Sequence, residues 1–225
     1  MELSGIGQGS ILKAAGIEVR HALPGVGENL RDHYSAVMKW TFAKRGISLV
    51  NKGHGLGLLG EIARYAILGR GVLSQGIGTM RVFTRSRDGL ADSDIMMSVA
   101  PFITEMVNGV RRMARIDGFF MYSHVQRTES AGTLHIKSAD PHAPPAINFN
   151  FLATETDRSA AIMAVRKARD IVEAPPLGET IAAEIMPGRD IETDDQILDW
   201  LRKTGQTTFH PVGTCRMGQD QAAVV

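Results

Sequence analysis

A single cysteine, Cys215, occurs among the 225 residues, so no internal disulfide can form and nothing points to an oxidising compartment. Aromatic side chains are sparse, with Trp 2 and Tyr 3, which leaves little material for a cage around a cationic ligand. Neither sign of charge dominates. The 25 basic and 24 acidic residues leave a net +1, so no global field selects nucleic acid or an anionic membrane. No apolar run approaches the roughly 20 residues that span a bilayer. The opening residues, Met1 to Gly7, lack the basic region and apolar core of a signal peptide. A soluble, cytoplasmic protein is the expectation. With 44% hydrophobic and 22% charged residues, the chain is long enough for one large domain or two small ones.

Periodicity and punctuation outline the elements. A short helix is predicted from Gln8 to Ala15, ended by a left-handed Gly16. Tyr34 to Phe42 alternates apolar Ala36, Met38, Trp40 and Phe42 with Ser35, Lys39 and Thr41, as a half-buried strand does. Gly53 to Leu68 reads as a loop running into an amphipathic helix that stops at Gly69-Arg70-Gly71. Further strands are predicted at 79–85, 94–100, 119–127 and 132–138, joined by turns too short for crossover helices, which favours antiparallel pairing. A short strand is expected at Ala146–Asn150 after a proline-stiffened turn. Two helices follow. One is capped by Thr154 and Asp157 with Ala161, Val165, Ala168 and Val172 as its stripe, before Pro175-Pro176. The other runs from Asp194 to Lys203 behind Thr193 and Gln196. The fold class expected is α+β, a largely antiparallel sheet with helices packed on it.

Candidate chemistry is thin outside one stretch. Gly55-Leu56-Gly57-Leu58-Leu59-Gly60 has dinucleotide spacing, but polar, glycine-broken residues precede it where a buried strand is required. A flexible loop, even a lid over an active site, is the better expectation there. Arg111, Arg112 and Arg115 form the densest basic cluster and read as a solvated strand edge or loop. His21, His33, His54, His124, His135 and His142 are scattered without metal-ligand spacing, and no metal site is expected. Thr207-Thr208-Phe209-His210-Pro211-Val212-Gly213-Thr214-Cys215-Arg216-Met217-Gly218 is different, because it concentrates reactive and backbone-restricting residues. Phe209 can shield the imidazole of His210 and Pro211 holds the backbone beyond it. An imidazole titrating near 6.5 is the natural general base at neutral pH. Taken alone, a histidine so held reads first as structural. A thiol pair of Cys215 with His210 has no enforced geometry on a glycine-rich loop, and Cys215 reads as a small buried filler.

Four segments together resemble the glucose–methanol–choline (GMC) flavoprotein oxidoreductases, most nearly the choline-dehydrogenase-like alcohol dehydrogenases. They are Ser4-Gly5-Ile6-Gly7; the run from Leu23-Pro24-Gly25-Val26-Gly27 through Asn29-Leu30 to Asp32-His33; Gly132 to Phe151; and His210 to Gly218. Their order and spacing cover essentially the whole chain. The resemblance implies a substrate domain beside a Rossmann-like FAD domain. Residues 1–33 would be a remnant of the FAD-binding domain, 34–205 the substrate-binding domain, and 206–225 an active-site histidine segment returning to the FAD domain.

By the same resemblance His210 is the catalytic base, taking the hydroxyl proton of a small alcohol while hydride leaves the carbinol carbon for flavin N5. The family's glycine-rich FAD fingerprint and its second catalytic residue fall outside these residues. No flavin-contacting residue is assigned, and the isolated chain is expected to be inactive and to self-associate through exposed apolar surface. The other reading is a non-catalytic remnant serving as a binding or subunit-interaction module. The alcohol and the electron acceptor are not specified by the sequence, and no nucleic-acid partner or membrane segment is expected.

Overall fold

The computed structural model describes residues 1–76 and 80–225. Along the chain lie β1 (Ile6–Gly7), α1 (Gly9–Ala14), β2 (His21–Ala22), β3 (Tyr34–Phe42), α2 (Gly55–Leu68), β4 (Met80–Thr84) and β5 (Ile95–Ala100). They are followed by β6 (Thr104–Val107), β7 (Val110–Met113), β8 (Gly118–Val125), β9 (Thr133–His135), β10 (Ala146–Asn148), α3 (Glu155–Glu173), β11 (Ile181–Met186) and α4 (Asp194–Thr204). The chain divides into two compact units. One holds Met1–Tyr34, Arg127–Arg158 and Thr207–Val225; the other holds Ser35–Gln126 and Ser159–Gln206. Residues 127–158 therefore group with the two terminal segments rather than with the rest of 34–205.

The larger unit is built on a sheet ordered β11-β3-β8-β5-β4, with every neighbouring pair antiparallel. The alternation predicted for 34–42 is there: Ala36, Met38 and Trp40 are buried. Their partners on β8 continue the apolar face, with Met38 opposite Met121 and Trp40 opposite Phe119. The Trp40 and Phe119 rings stack at 5.3 Å. β8 is buried along nearly its whole length, as a central strand covered on both faces must be. Burial of each such large apolar side chain contributes about 1.5–3 kcal/mol.

Outside that sheet, β6 and β7 form a hairpin that the sequence reading missed, although Asn108-Gly109 at its tip is a strong two-residue turn signal. Both tip residues have positive φ, 50° and 76°. Arg111 and Arg112 lie exposed on β7, in keeping with the solvated strand edge or loop expected of that cluster. The strand predicted at 79–85 is β4, and residue 79 lies outside the described residues.

The helices follow their caps. Thr154 Oγ1 accepts the Asp157 N–H at 3.2 Å, and Ala161, Val165, Ala168 and Val172 are all buried. α4 has the full capping box between Thr193 and Gln196. Arg169 of α3 holds Glu184 of β11 in a pair nearly closed to solvent, with Nη2 2.7 Å from Oε1. Its remaining donors reach the carbonyls of Gly188 and Ile191, so the buried guanidinium is satisfied.

The region around α2 departs from expectation twice. Gly55, Gly57 and Gly60 are not loop residues; they form the first turns of the helix. A side chain at Gly57 would come within 1.8 Å of the Asn51 carbonyl oxygen, so close backbone approach, not phosphate binding, explains that glycine. The helix is also inverted: its buried residue is Glu61, while Leu56, Leu59, Ile62 and Ile67 are exposed. Glu61 is held inward because its carboxylate accepts the Val72 N–H at 2.8 Å.

The smaller unit has little regular structure. β1 and β2 pair in parallel, and β9 and β10 pair antiparallel. The predicted helix at 8–15 is α1, and Gly16 has the expected positive φ of 75°. Among the described residues no helix is long and apolar enough to cross a membrane.

Candidate active site

The four segments that carried the resemblance all lie in the smaller unit, and main-chain hydrogen bonds lace them together, the Leu23 N–H to the Gly7 carbonyl at 3.0 Å among them. Leu30 and Gly132 form an isolated antiparallel bridge, and Arg31 and Val212 form another. Farther along, the Gly27 N–H donates to the Thr214 carbonyl at 3.0 Å, and the Thr208 N–H donates to the His33 carbonyl at 3.1 Å. Residues 27–33 and 208–214 thus run beside each other although some 180 positions separate them in sequence.

Asp32 locks this pairing. It is buried, only 4% exposed, and its carboxylate gathers four donors. They are the His33 N–H at 2.7 Å, the His210 N–H at 3.1 Å, the Thr208 hydroxyl at 3.4 Å and the Thr207 hydroxyl, which makes a short contact. Thr207 Oγ1 in turn accepts the Phe209 N–H at 2.9 Å. An ionised carboxylate taking several charge-assisted bonds fixes the peptide groups that give them. The main chain at His210 is therefore pinned, while its imidazole is left exposed to solvent. The facing side chain is His33, with ring centroids 5.6 Å apart and planes at 79°.

Gly213 completes the turn. Its φ is +96°, and a side chain there would come within 2.3 Å of the Asn29 carbonyl oxygen. Asn29 itself is left-handed and donates from Nδ2 to the Gly213 carbonyl at 3.3 Å. Arg31 braces the other strand of the pair, with Nη1 2.5 Å from the Thr128 carbonyl oxygen.

Two sequence expectations fail here. Phe209 does not shield His210: its backbone is left-handed and its ring is 81% exposed. Cys215 is not a buried filler but exposed, and its thiol donates to the Met1 sulfur at 3.6 Å. Asp32 and His33 were visible in the sequence only as part of a longer motif. Nothing local marks Asp32 as the acceptor for a loop so distant in the chain. A second buried carboxylate, Glu2, holds His135 Nδ1 at 2.8 Å and accepts the Ile136 N–H at 2.8 Å. It ties β9 to the N-terminal segment. Among the described residues no group of three or more His, Cys, Asp or Glu side chains could hold a metal ion.

The neighbouring cavity, lined by Val26, Gly27, Leu134, Ile136, Thr214 and Cys215 among others, measures about 210 Å³. That is below the range of roughly 300–1,000 Å³ usual for small-molecule sites. Gly55-x-Gly57-x-x-Gly60 lies inside a helix and so forms no phosphate-cradling loop. The residues present do not by themselves enclose a flavin dinucleotide.

An antiparallel sheet with capped helices, in one chain with a loop-built unit presenting a pinned histidine, is the architecture that the resemblance implies for part of a flavin-dependent oxidoreductase. Residues 128–225 match the family model described as GMC oxidoreductase. It is 35% identical over 228 residues to the oxygen-dependent choline dehydrogenase of Photobacterium profundum, covering 98% of this chain and 38% of that protein. Among solved structures it resembles pyridoxine 4-oxidase from Mesorbium loti, at 21% identity and a TM-score of 0.78, covering 100% of this chain and 40% of that one. An FAD-dependent oxidoreductase from Chaetomium thermophilum is similar at 19% identity and a TM-score of 0.82, covering 100% of this chain and 45% of that one. The chain spans about two fifths of the length of the curated relatives it matches.

Proposed function

We propose that this chain supplies the substrate-side half of an FAD-dependent enzyme oxidising an alcohol to an aldehyde or ketone, with His210 as the general base. The observation that carries this reading is the Asp32 latch. A buried carboxylate, two threonine hydroxyls and a left-handed glycine all serve to fix the main chain that presents one exposed imidazole. So much fixed structure around a single solvent-facing side chain suits proton transfer better than packing. In this reading Asp32 is a positioning residue, since it touches the His210 backbone and not the reacting atoms.

His210 accepts the hydroxyl proton of the bound alcohol and, as imidazolium, stabilises the alkoxide-like charge on the oxygen. The His33 ring, edge to face with it, limits the directions the imidazole can turn. FAD, when bound by the complete protein, supplies the hydride acceptor. Residues 1–33 and 206–225 belong with the flavin-binding part in this scheme, and 34–205 with the substrate-binding part. The substrate is a small alcohol, for which the choline-dehydrogenase relatives offer one candidate class.

The test is expression of the 225 residues alone with added FAD, beside the same chain joined to a GMC flavin-binding module. The isolated chain should retain no flavin and show no alcohol-dependent dye reduction, and the joined protein should do both. In the joined protein His210→Gln should lower turnover by about 10²–10⁴-fold. Full activity of the isolated chain, or of the His210→Gln variant, would sink the proposal.

A further inference from the structure

One basic side chain of the larger unit serves neither its packing nor an ion pair. Lys39 lies in the middle of β3, on the opposite face from Ala36, Met38 and Trp40, because side chains alternate along a strand. Its register partners on the two neighbouring strands are Phe120 of β8 and Met186 of β11. A half-buried ammonium between two such side chains is costly unless something compensates its charge. Of its three donors, one goes to the Thr104 carbonyl at 2.9 Å.

These residues line a cavity of about 300 Å³ that also takes in Val37, Glu105 and Arg111, all within the larger unit. That volume lies at the lower end of the range usual for small-molecule sites. Its floor is apolar, with Phe120 buried and Val37 and Met186 half-buried. The charge in it is uneven. Lys39 and Arg111 bring two cations to a space where Glu105 is the only carboxylate in the lining. Among the described residues neither cation has a carboxylate within 4.0 Å. Burial holds Lys39 below the ordinary lysine range, the Arg111 guanidinium pushes it the same way, and Glu105 restores only part of the loss.

An anion seated between the two cations would offset that cost through charge-assisted hydrogen bonds. The lining also selects the kind of anion. Two cations and one carboxylate leave one positive charge, which matches a single negative charge; a dianion would meet Glu105 as well. The apolar floor suits an anion with an organic body.

We infer that this cavity is a binding site for a small organic monocarboxylate, its carboxylate held between the Lys39 ammonium and the Arg111 guanidinium and its apolar part resting on Phe120, Val37 and Met186. Such binding needs neither flavin nor turnover, so it stands apart from the flavoenzyme reading.

The test is isothermal titration calorimetry of the 225-residue chain with benzoate, with its neutral isostere benzamide, and with inorganic phosphate. Benzoate should bind at least about tenfold more tightly than either of the others, and more weakly as salt is raised. Lys39→Met and Arg111→Gln should each weaken benzoate by about tenfold or more, because each removes charged hydrogen bonds. Arg112→Gln is the control. Arg112 follows Arg111 on β7 but lines a different cavity, and its loss should leave benzoate affinity unchanged. If Lys39→Met proves unfolded by circular dichroism, Arg111→Gln, exposed on its hairpin, decides alone. Absence of benzoate binding, benzamide binding as tightly, or benzoate affinity indifferent to the substitutions at Lys39 and Arg111 would overturn the inference. Phosphate binding more tightly than benzoate would overturn the assignment to a monocarboxylate.

Discussion

Replacing Asp32 by alanine removes the acceptor for two main-chain donors, the N–H groups of His33 and His210, and for the hydroxyls of Thr207 and Thr208. A buried donor left unsatisfied costs about 1–3 kcal/mol, and the two main-chain donors lose their partner together. The hydroxyls can rotate toward other acceptors, so they add less. A weakening of the latch by about 2–4 kcal/mol is therefore expected.

The loss is local, and amide hydrogen exchange read by mass spectrometry on a peptide covering 208–214 is the suitable assay. At 1.4 kcal/mol per factor of ten, exchange there should accelerate by about 30- to 700-fold. Asp32→Asn keeps the shape and one acceptor oxygen, and should accelerate it by roughly half as many powers of ten. Peptides from β8, in the larger unit, should not change. Exchange at 208–214 that is the same in wild type and Asp32→Ala would refute the reasoning, because the carboxylate would then not be what holds the loop.

Other consequences can be checked on the same material. Glu184→Gln strips the charge from the partner of a guanidinium nearly closed to solvent and should cost about 3–5 kcal/mol in urea unfolding followed by Trp40 and Trp200 fluorescence. Gly213→Ala forces a side chain toward the Asn29 carbonyl at a φ of +96°, and should raise exchange at Thr214 and destabilise by at least about 1–2 kcal/mol. At Asp117 burial pushes the carboxyl pKa up, but the Gly46 N–H and the Ser48 bonds pull harder and leave it below the ordinary 3.8. Its contribution is complete above that value and is lost as pH falls through the depressed pKa. Asp117→Asn should therefore lower the melting temperature at neutral pH, and the difference should vanish well below pH 3.8.

Local rules carried the elements whose signals are local. Thr193 with Gln196 announced α4, Thr154 announced α3, and the alternation through Trp40 announced β3, because caps and a period of two need only a few neighbours. Asn108-Gly109 was equally local and was overlooked. β11 was not found because Ile181 to Met186 lacks a clean alternation; its place depends on pairing with β3 across two register shifts. The orientation of α2 could not be read from its hydrophobic period, since the period gives a stripe but not the side it faces. Glu61 decides that by bonding to the Val72 N–H.

For the site, the residues were legible and their arrangement was not. His210 drew notice through its neighbours and through the resemblance. That Asp32, 178 positions earlier, accepts its N–H is a long-range pairing that no spacing rule encodes. Phe209 and Cys215 show the converse. Phe209 was expected to shield the imidazole and Cys215 to be buried, and the left-handed backbone at Phe209 and the exposed turn at Cys215 place both in solvent.

The most direct measurement of the role given to His210 is anaerobic stopped-flow reduction of the flavin by alcohol, made on the complete flavoprotein with His210 and with His210→Gln. The expected result is a fall of about 10²–10⁴-fold in the reduction rate at unchanged flavin content, with the wild-type pH dependence of that rate abolished. Reduction by the His210→Gln protein at the wild-type rate and with the wild-type pH profile would contradict it.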